Sequence, residues 1–311
     1  MKNTILILIS LLFLTGVSEG KEVTYLQDRN GIKYEVNSET PFTGKYVEYY
    51  KNGQKELERN YKNGKEEGKI VGWLKNGKKG YEGDYKDGDR DGLVVQWWGN
   101  GEKTVKNYKN DEINGLYSSW YKNGKKEFEQ NYKNGKKDGL SVLWYENGQK
   151  KSEGYYKNEQ EDGLWTRWYE NGQKKVEVNY KYEKDDGLVF SWSKKKNGKK
   201  DGSISSWYEN GQKSVKGYYK NDKTHGLRVS WYENGQKDSE GTFKDGKKDG
   251  LWTFWYENGQ KGEEGNYRSG KKDGIVTEWY RTGQKREEGE WSNGESVKKT
   301  WSNGEFIYNW F

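Results

Sequence analysis

GLWTFWYENGQKGEEGNYRSGKKD, residues Gly250 to Asp273, decides the fold, because Gly274 begins the same sentence again. Working outward, Gly44, Gly68, Gly92, Gly115, Gly139, Gly163, Gly187, Gly202, Gly226, Gly250 and Gly274 each open such a unit. The spacing is 24 residues in eight of the ten steps, 23 from Gly92 to Gly115 and 15 from Gly187 to Gly202. A fixed period in this range marks a repeat architecture, in which each unit is covered by its neighbours. Although 311 residues would ordinarily make two domains, stacked units are expected to form one body at any length.

Take the opening glycine as position 0. Positions +1 to +6 alternate apolar and variable residues and close on Trp–Tyr. Trp73, Trp97, Trp120, Trp144, Trp168, Trp192, Trp207, Trp231, Trp255 and Trp279 occupy +5 and are the expected structural core. Leucine is usual at +1, and Val, Thr or Ser at +3. This alternation of β-branched and aromatic residues predicts a strand. An E-N-G-Q or K-N-G-K turn follows, then a second strand over +10 to +17 that ends on an aromatic residue such as Tyr156, Tyr180, Phe243 or Tyr267. Position +13 is often apolar (Leu57, Tyr81, Phe128, Val176, Val215). A two-residue loop would place +1, +3, +5 and +13, +15, +17 on opposite faces, since a one-residue slip turns every side chain over. A three-residue loop Glu-Asn-Gly with left-handed Gly keeps them together, and it is the predicted turn. Glycines at 0 and +15 are expected to leave room for neighbouring rings. The resulting fold is all-β: an elongated, single-sheet antiparallel meander of about eleven 24-residue hairpin repeats. At about 4.8 Å per strand, some 22 strands span roughly 100 Å.

Composition agrees. Hydrophobic content of 30% with 34% charge leans toward disorder, but 16 Trp and 26 Tyr do not fit an aromatic-poor disordered chain. The net charge of +7 comes from both signs mixed through every repeat, without the concentrated basic patch of a nucleic-acid binder. There is no cysteine, which excludes disulfides, thiol chemistry and a bacterial lipid anchor.

Residues 1–20 read as a secretory signal: Lys2, then an apolar run from Ile5 to Leu14, then small and polar residues, with cleavage expected near Gly20. The apolar run is too short for a membrane span. The expected organisation is a signal peptide (1–20), an N-terminal hairpin or cap (21–43), eleven repeats (44–291) and C-terminal half-repeats with a cap (292–311). The unit at 187–201 is short. It is expected to keep its first strand, lose the second and offset the ladder there.

The string G-x-Y-K-N-G-K-K-D-G-L-W-x-x-W-Y-E-N-G-Q-K resembles the MORN repeat variant (membrane occupation and recognition nexus), the repeat of proteins named YwqK-like antitoxins. Tyr34 to Gly44 resembles that family's lead-in, and the likeness runs from about Val23 to Gly304. The resemblance implies an elongated β-meander used for protein, lipid or surface contacts, and it carries over no catalytic residue. An antitoxin role sits badly with an export signal.

No catalytic or metal chemistry emerges from the residues. The single histidine, His225, replaces Asp in the turn before Gly226, so nucleophile–base triads have no base. Asp87 to Gly92 imitates half of a calcium loop, but the ligand expected at its twelfth position falls on Trp98. Neither an enzyme, a cofactor, a metal nor a nucleic-acid partner is expected. The candidate binding surface is the +2, +4 and +6 set: Tyr121, Tyr145, Trp165, Arg167, Tyr169, Tyr208, Arg228, Tyr232, Trp252, Phe254, Tyr256 and Tyr280. The expected function is a non-catalytic, secreted, periplasmic or cell-surface repeat protein that binds a protein or cell-surface ligand through an aromatic sheet face. Two alternatives stand beside it: a carbohydrate- or lipid-binding envelope protein, and an antitoxin or immunity protein.

Overall fold

Each repeat folds as its alternation dictates, into an opening strand and a return strand. The computed structural model describes residues 21–183, 198–302 and 305–306. The signal at 1–20, Gly187 and Trp192 of the short unit, and most of the C-terminal aromatic end lie outside the described residues. Among the described residues there is no helix, and the repeats form antiparallel meanders.

The chain divides into two units, residues 1–91 and 92–311. In the first, strands Gly44–Tyr49, Lys55–Lys62, Gly68–Trp73 and Lys79–Lys86 run in antiparallel order. Glu22–Val23 adds a parallel pairing to Gly44–Tyr49, and Gln27–Arg29 forms a small separate hairpin with Ile32–Tyr34. Phe42 and Tyr61 are buried with their rings 6.1 Å apart, and Val47 is buried in Gly44–Tyr49. The second unit continues the same hairpins from Gly92 onward, and at its centre Trp165, Val178 and Tyr180 pack with Tyr156 and Ile204.

The turn after the opening strand is the predicted three-residue loop. In the Gly250 repeat, Tyr256 N–H donates to the Gln260 carbonyl at 2.8 Å and Gly259 N–H to the Tyr256 carbonyl at 2.9 Å, leaving Glu257, Asn258 and Gly259 as the loop. Gly259 is left-handed, at φ 84°. The second turn is tighter. Lys157 pairs with Gln160 across Asn158 and Glu159, both at positive φ, a geometry that matches the right-handed twist of the strands.

The expected faces change for one reason. Trp255 faces Lys261, but Phe254 faces Glu263, so Gly262 is an extra residue on the return strand. Six further repeats share this one-residue bulge between +4 and +5 in the second unit, as does each repeat of the first. It reverses the parity that the loop had set. Positions +1, +3, +5, +11, +14 and +16 therefore share one face, and +2, +4, +13, +15 and +17 share the other. The 23-residue repeat at Gly92 lacks this bulge: Lys103 to Tyr108 face Trp97 to Gly92 without a shift.

The short unit is also corrected. Return strand Lys174–Lys181 pairs directly with Lys199–Trp207, in the register that Lys150–Lys157 keeps with Gln160–Trp168. The place in the ladder expected for Gly187–Trp192 is held by Lys199–Trp207, and the ladder is not offset. Tyr169 Oη reaches the Trp207 carbonyl across 38 residues, the bond that neighbouring repeats make across 23.

Candidate functional site

Two faces of the second unit compete as the site, and burial separates them. The ring face carries +2 and +15. Trp165 and Trp252, expected as exposed anchors, are each 3% exposed. They lie over the glycines of the preceding return strand: a Cβ on Gly154 would overlap the Trp165 ring, and one on Gly241 would overlap that of Trp252. Glycine at +15 is thus a socket for the indole at +2 of the next repeat. Trp252 is fixed there by its N–H bond to the Thr242 carbonyl (2.9 Å), an edge contact with Phe243 (centroids 4.9 Å) and a stack on Phe254 (5.6 Å). Lys248 lies 4.2–5.0 Å from the ring centroids of Trp252, Phe254 and Tyr267, and burial among them pushes its ammonium pKa down. Arg167 is half-buried and pairs with Glu161 at 3.2 Å, while Arg228 lies over Phe243. The opening glycine works differently from the +15 one: Gly250 sits in a bulge at φ 95°, which a side chain adopts only with strain.

The +6 tyrosines are inter-repeat ties. The hydroxyls of Tyr121, Tyr145, Tyr169, Tyr208, Tyr232 and Tyr256 each donate to the carbonyl of the +5 tryptophan of the next repeat in the ladder, at 2.7–3.1 Å. Burial raises the pKa of Tyr121, Tyr145, Tyr208 and Tyr232, and nearby carboxylates add to it. Tyr280, in the last full repeat, is exposed. Asparagine at +8 adds a second tie: Asn234 Nδ2 donates to the Glu257 carbonyl at 2.7 Å while its Oδ1 accepts from Gln236 N–H. This 23-residue spacing of hydroxyl and carbonyl was present in the sequence but could not be recognised without the register.

The opposite face is built on charge. Trp73, Trp97, Trp120, Trp144, Trp168, Trp207, Trp231, Trp255 and Trp279, the described +5 residues, are half-buried there. The +11 lysine of the preceding repeat covers the indole, as Lys237 does Trp255 at 5.4 Å and Lys261 does Trp279 at 5.7 Å. The same lysine bridges to glutamate at +14. Eight repeats carry this pair: Lys55–Glu58, Lys79–Glu82, Lys126–Glu129, Lys150–Glu153, Lys174–Glu177, Lys237–Glu240, Lys261–Glu264 and Lys285–Glu288. Hydrogen bonding from Lys261 holds the Glu264 carboxyl below its usual range, and the Thr253 hydroxyl helps. Beside this neutralised ladder stands a row of exposed aliphatics. Leu93, Leu116, Leu164, Leu227, Leu251 and Ile275 at +1 are 38–56% exposed, and Tyr155 and Tyr218 at +16 join them. The row escaped the sequence reading because +1 was grouped with the buried +3 residues.

The remaining candidates are turn residues. Among the described residues, no group of three or more His, Cys, Asp or Glu could hold a metal ion. Asp87 and Gly88, both at positive φ, are the centre of a hairpin turn. His225 fills a turn position where Asp138, Asp162 and Asp249 accept a backbone N–H from 20 residues on. Its buried Nδ1 has no partner among the described residues. No helix of the described residues is long and apolar enough to cross a membrane.

Comparison with known proteins agrees with this ladder. The family model described as MORN repeat variant matches residues 42–63, 113–134, 137–158, 161–182, 200–221, 224–245, 248–269 and 272–293, more than half of the chain. Its windows pass from 161–182 directly to 200–221, the same step that the strands take. No curated protein matches the chain.

Proposed function

Because the chain belongs to the MORN repeat variant family, we propose that it is a non-catalytic interaction protein whose binding face is the leucine-bearing face of residues 92–311. MORN repeats commonly mediate protein or membrane interactions. The observation that carries the reading is the row of exposed aliphatic side chains at +1, with Tyr155 and Tyr218 alongside. Regularly spaced apolar side chains left in water are a cost that a binding partner removes. The rings of the other face already have neighbours, so stacking on sugars has little to work with there. The Lys–Glu pairs beside the leucines leave the face near neutrality, which favours a protein partner over nucleic acid or an anionic lipid surface. The signal-like residues 1–20 support export, and with it a role at the cell envelope or outside it.

Photo-crosslinking tests this. A benzoylphenylalanine at Leu251 should give partner adducts on intact cells, and the same group at Phe254, on the ring face, should give none. Adducts from Phe254 alone would overturn the choice of face, and adducts from neither position would remove the proposed function.

A further inference from the structure

Among the described repeats, the Lys–Glu pair is missing from the one opened by Gly92 and from the one opened by Gly202. Position +14, glutamate in eight repeats, is Lys216 in the latter. Two lysines, Lys213 and Lys216, therefore stand in one strand, and neither has an ion-pair partner among the described residues. Lys213 lies 6.0 Å from the Trp231 ring centroid, and Lys216 faces Ser205 on one side and Val229 on the other. The +1 residue of this repeat is Ser203, so the aliphatic row is interrupted at the same place. Between Lys216 and the Lys237–Glu240 pair runs a groove of about 510 Å³, lined by Tyr218, Leu227, Val229 and Trp231. One rim carries the uncompensated Lys216, with Lys213 close by over the Trp231 ring; the other rim is neutral, and the floor is apolar.

We propose that this groove docks an acidic, aliphatic segment of a partner protein. A leucine-like side chain lies against Leu227 and Val229 beside Tyr218, and the carboxylate of an adjacent residue is taken by Lys213 and Lys216. The charge complementarity selects the carboxylate, and the aliphatic floor selects its neighbour. A sugar ring fits less well, because Lys213 already lies over the Trp231 indole. The inference rests on the leucine-bearing face being the binding face.

The test uses the full-length chain and a fluorescein-labelled hexapeptide, Ser-Leu-Glu-Leu-Glu-Gly, followed by fluorescence anisotropy. Saturable binding is expected. It should weaken about tenfold when glutamine replaces the peptide's glutamates, and by at least as much in Lys216→Glu, where attraction becomes repulsion. Lys216→Glu installs the residue that eight other repeats carry, so the fold should survive, and circular dichroism checks this. Leu227→Ser should weaken both peptides. No saturable binding, equal binding of the glutamine peptide, or unchanged binding by Lys216→Glu would each overturn the proposal. Crosslinks from Leu251 that persist after such a result would leave the binding face standing and remove this docking site alone.

Discussion

Gly241→Ala should be among the most damaging one-carbon additions available to this chain. The new Cβ would lie inside the Trp252 ring, a rigid indole that is 3% exposed and cannot swing aside within its packing. Overpacking of a filled site costs about 1–3 kcal/mol. If the indole is expelled instead, it loses its bond to the Thr242 carbonyl, about 1 kcal/mol, and its contacts with Phe243 and Phe254, about 0.5–1.5 kcal/mol per ring pair. Either route gives roughly 2–4 kcal/mol. Gly217→Ala is the internal control at the same repeat position. Its Cβ would meet the Arg228 stem at 3.5 Å and Ile204 Cγ2 at 3.7 Å, both ordinary contacts, and the change should cost less than about 0.5 kcal/mol. A repeat array need not unfold in one step, so the measurement is hydrogen exchange in Lys247–Trp255 and Lys261–Arg268 alongside urea unfolding. Adding Gly241→Ala to a Trp252→Ala background should cost little, because the overlap has gone. Equal stability of Gly241→Ala and Gly217→Ala would refute the socket.

Three other outcomes follow from the ladder. Deleting residues 184–198 should restore the 24-residue spacing from Gly163 to the next opening glycine. The fold should be kept, with stability unchanged or raised by about 1–2 kcal/mol through the shorter connection; loss of the sheet signal in circular dichroism would contradict the direct pairing of Lys174–Lys181 with Lys199–Trp207. His225→Asp should stabilise by about 1 kcal/mol in urea titration, since it replaces an unpartnered Nδ1 by the carboxylate that accepts a turn N–H in other repeats. Acid should loosen the array: Lys69 and Lys79 hold Glu82, and Lys261 holds Glu264, below the usual carboxyl range. Their contribution is complete above that range and is lost as pH falls through the lowered folded value, so the urea midpoint should drop below the ordinary carboxyl range, and high salt at neutral pH should reproduce part of the loss.

The period, the two strands of each repeat, the Glu-Asn-Gly loop and the glycine gap at +15 could all be read from residues. Each is a local preference, or a spacing repeated often enough to be unambiguous. The faces could not, because Gly262 and its counterparts add one residue to the return strand, and nothing in the residues of that bulge distinguishes it from regular strand. In a single layer both faces carry apolar residues. Leu251 and Thr253 alternate with Trp252 and Phe254, and period alone does not say that Trp252 is covered and Leu251 is not. The +6 tyrosines looked like free anchors because their acceptor is a backbone carbonyl one repeat away, which only the register brings within reach. Gly187 reads as opening a rung because its spelling matches the other opening glycines, and only the pairing of Lys174–Lys181 with Lys199–Trp207 shows which stretch follows that return strand.

Adjacent residues Ile275 and Val276 give the most direct measurement of the central assignment, since the chain has no cysteine to interfere. Single cysteines placed there, in otherwise intact protein, would be timed against a soluble maleimide. Ile275, at 50% exposure on the leucine-bearing face, should label at least ~10-fold faster than Val276, at 2% on the ring face. Equal rates, or a faster reaction at position 276, would contradict the face assignment from which the sockets, the ties and the proposed binding surface all derive.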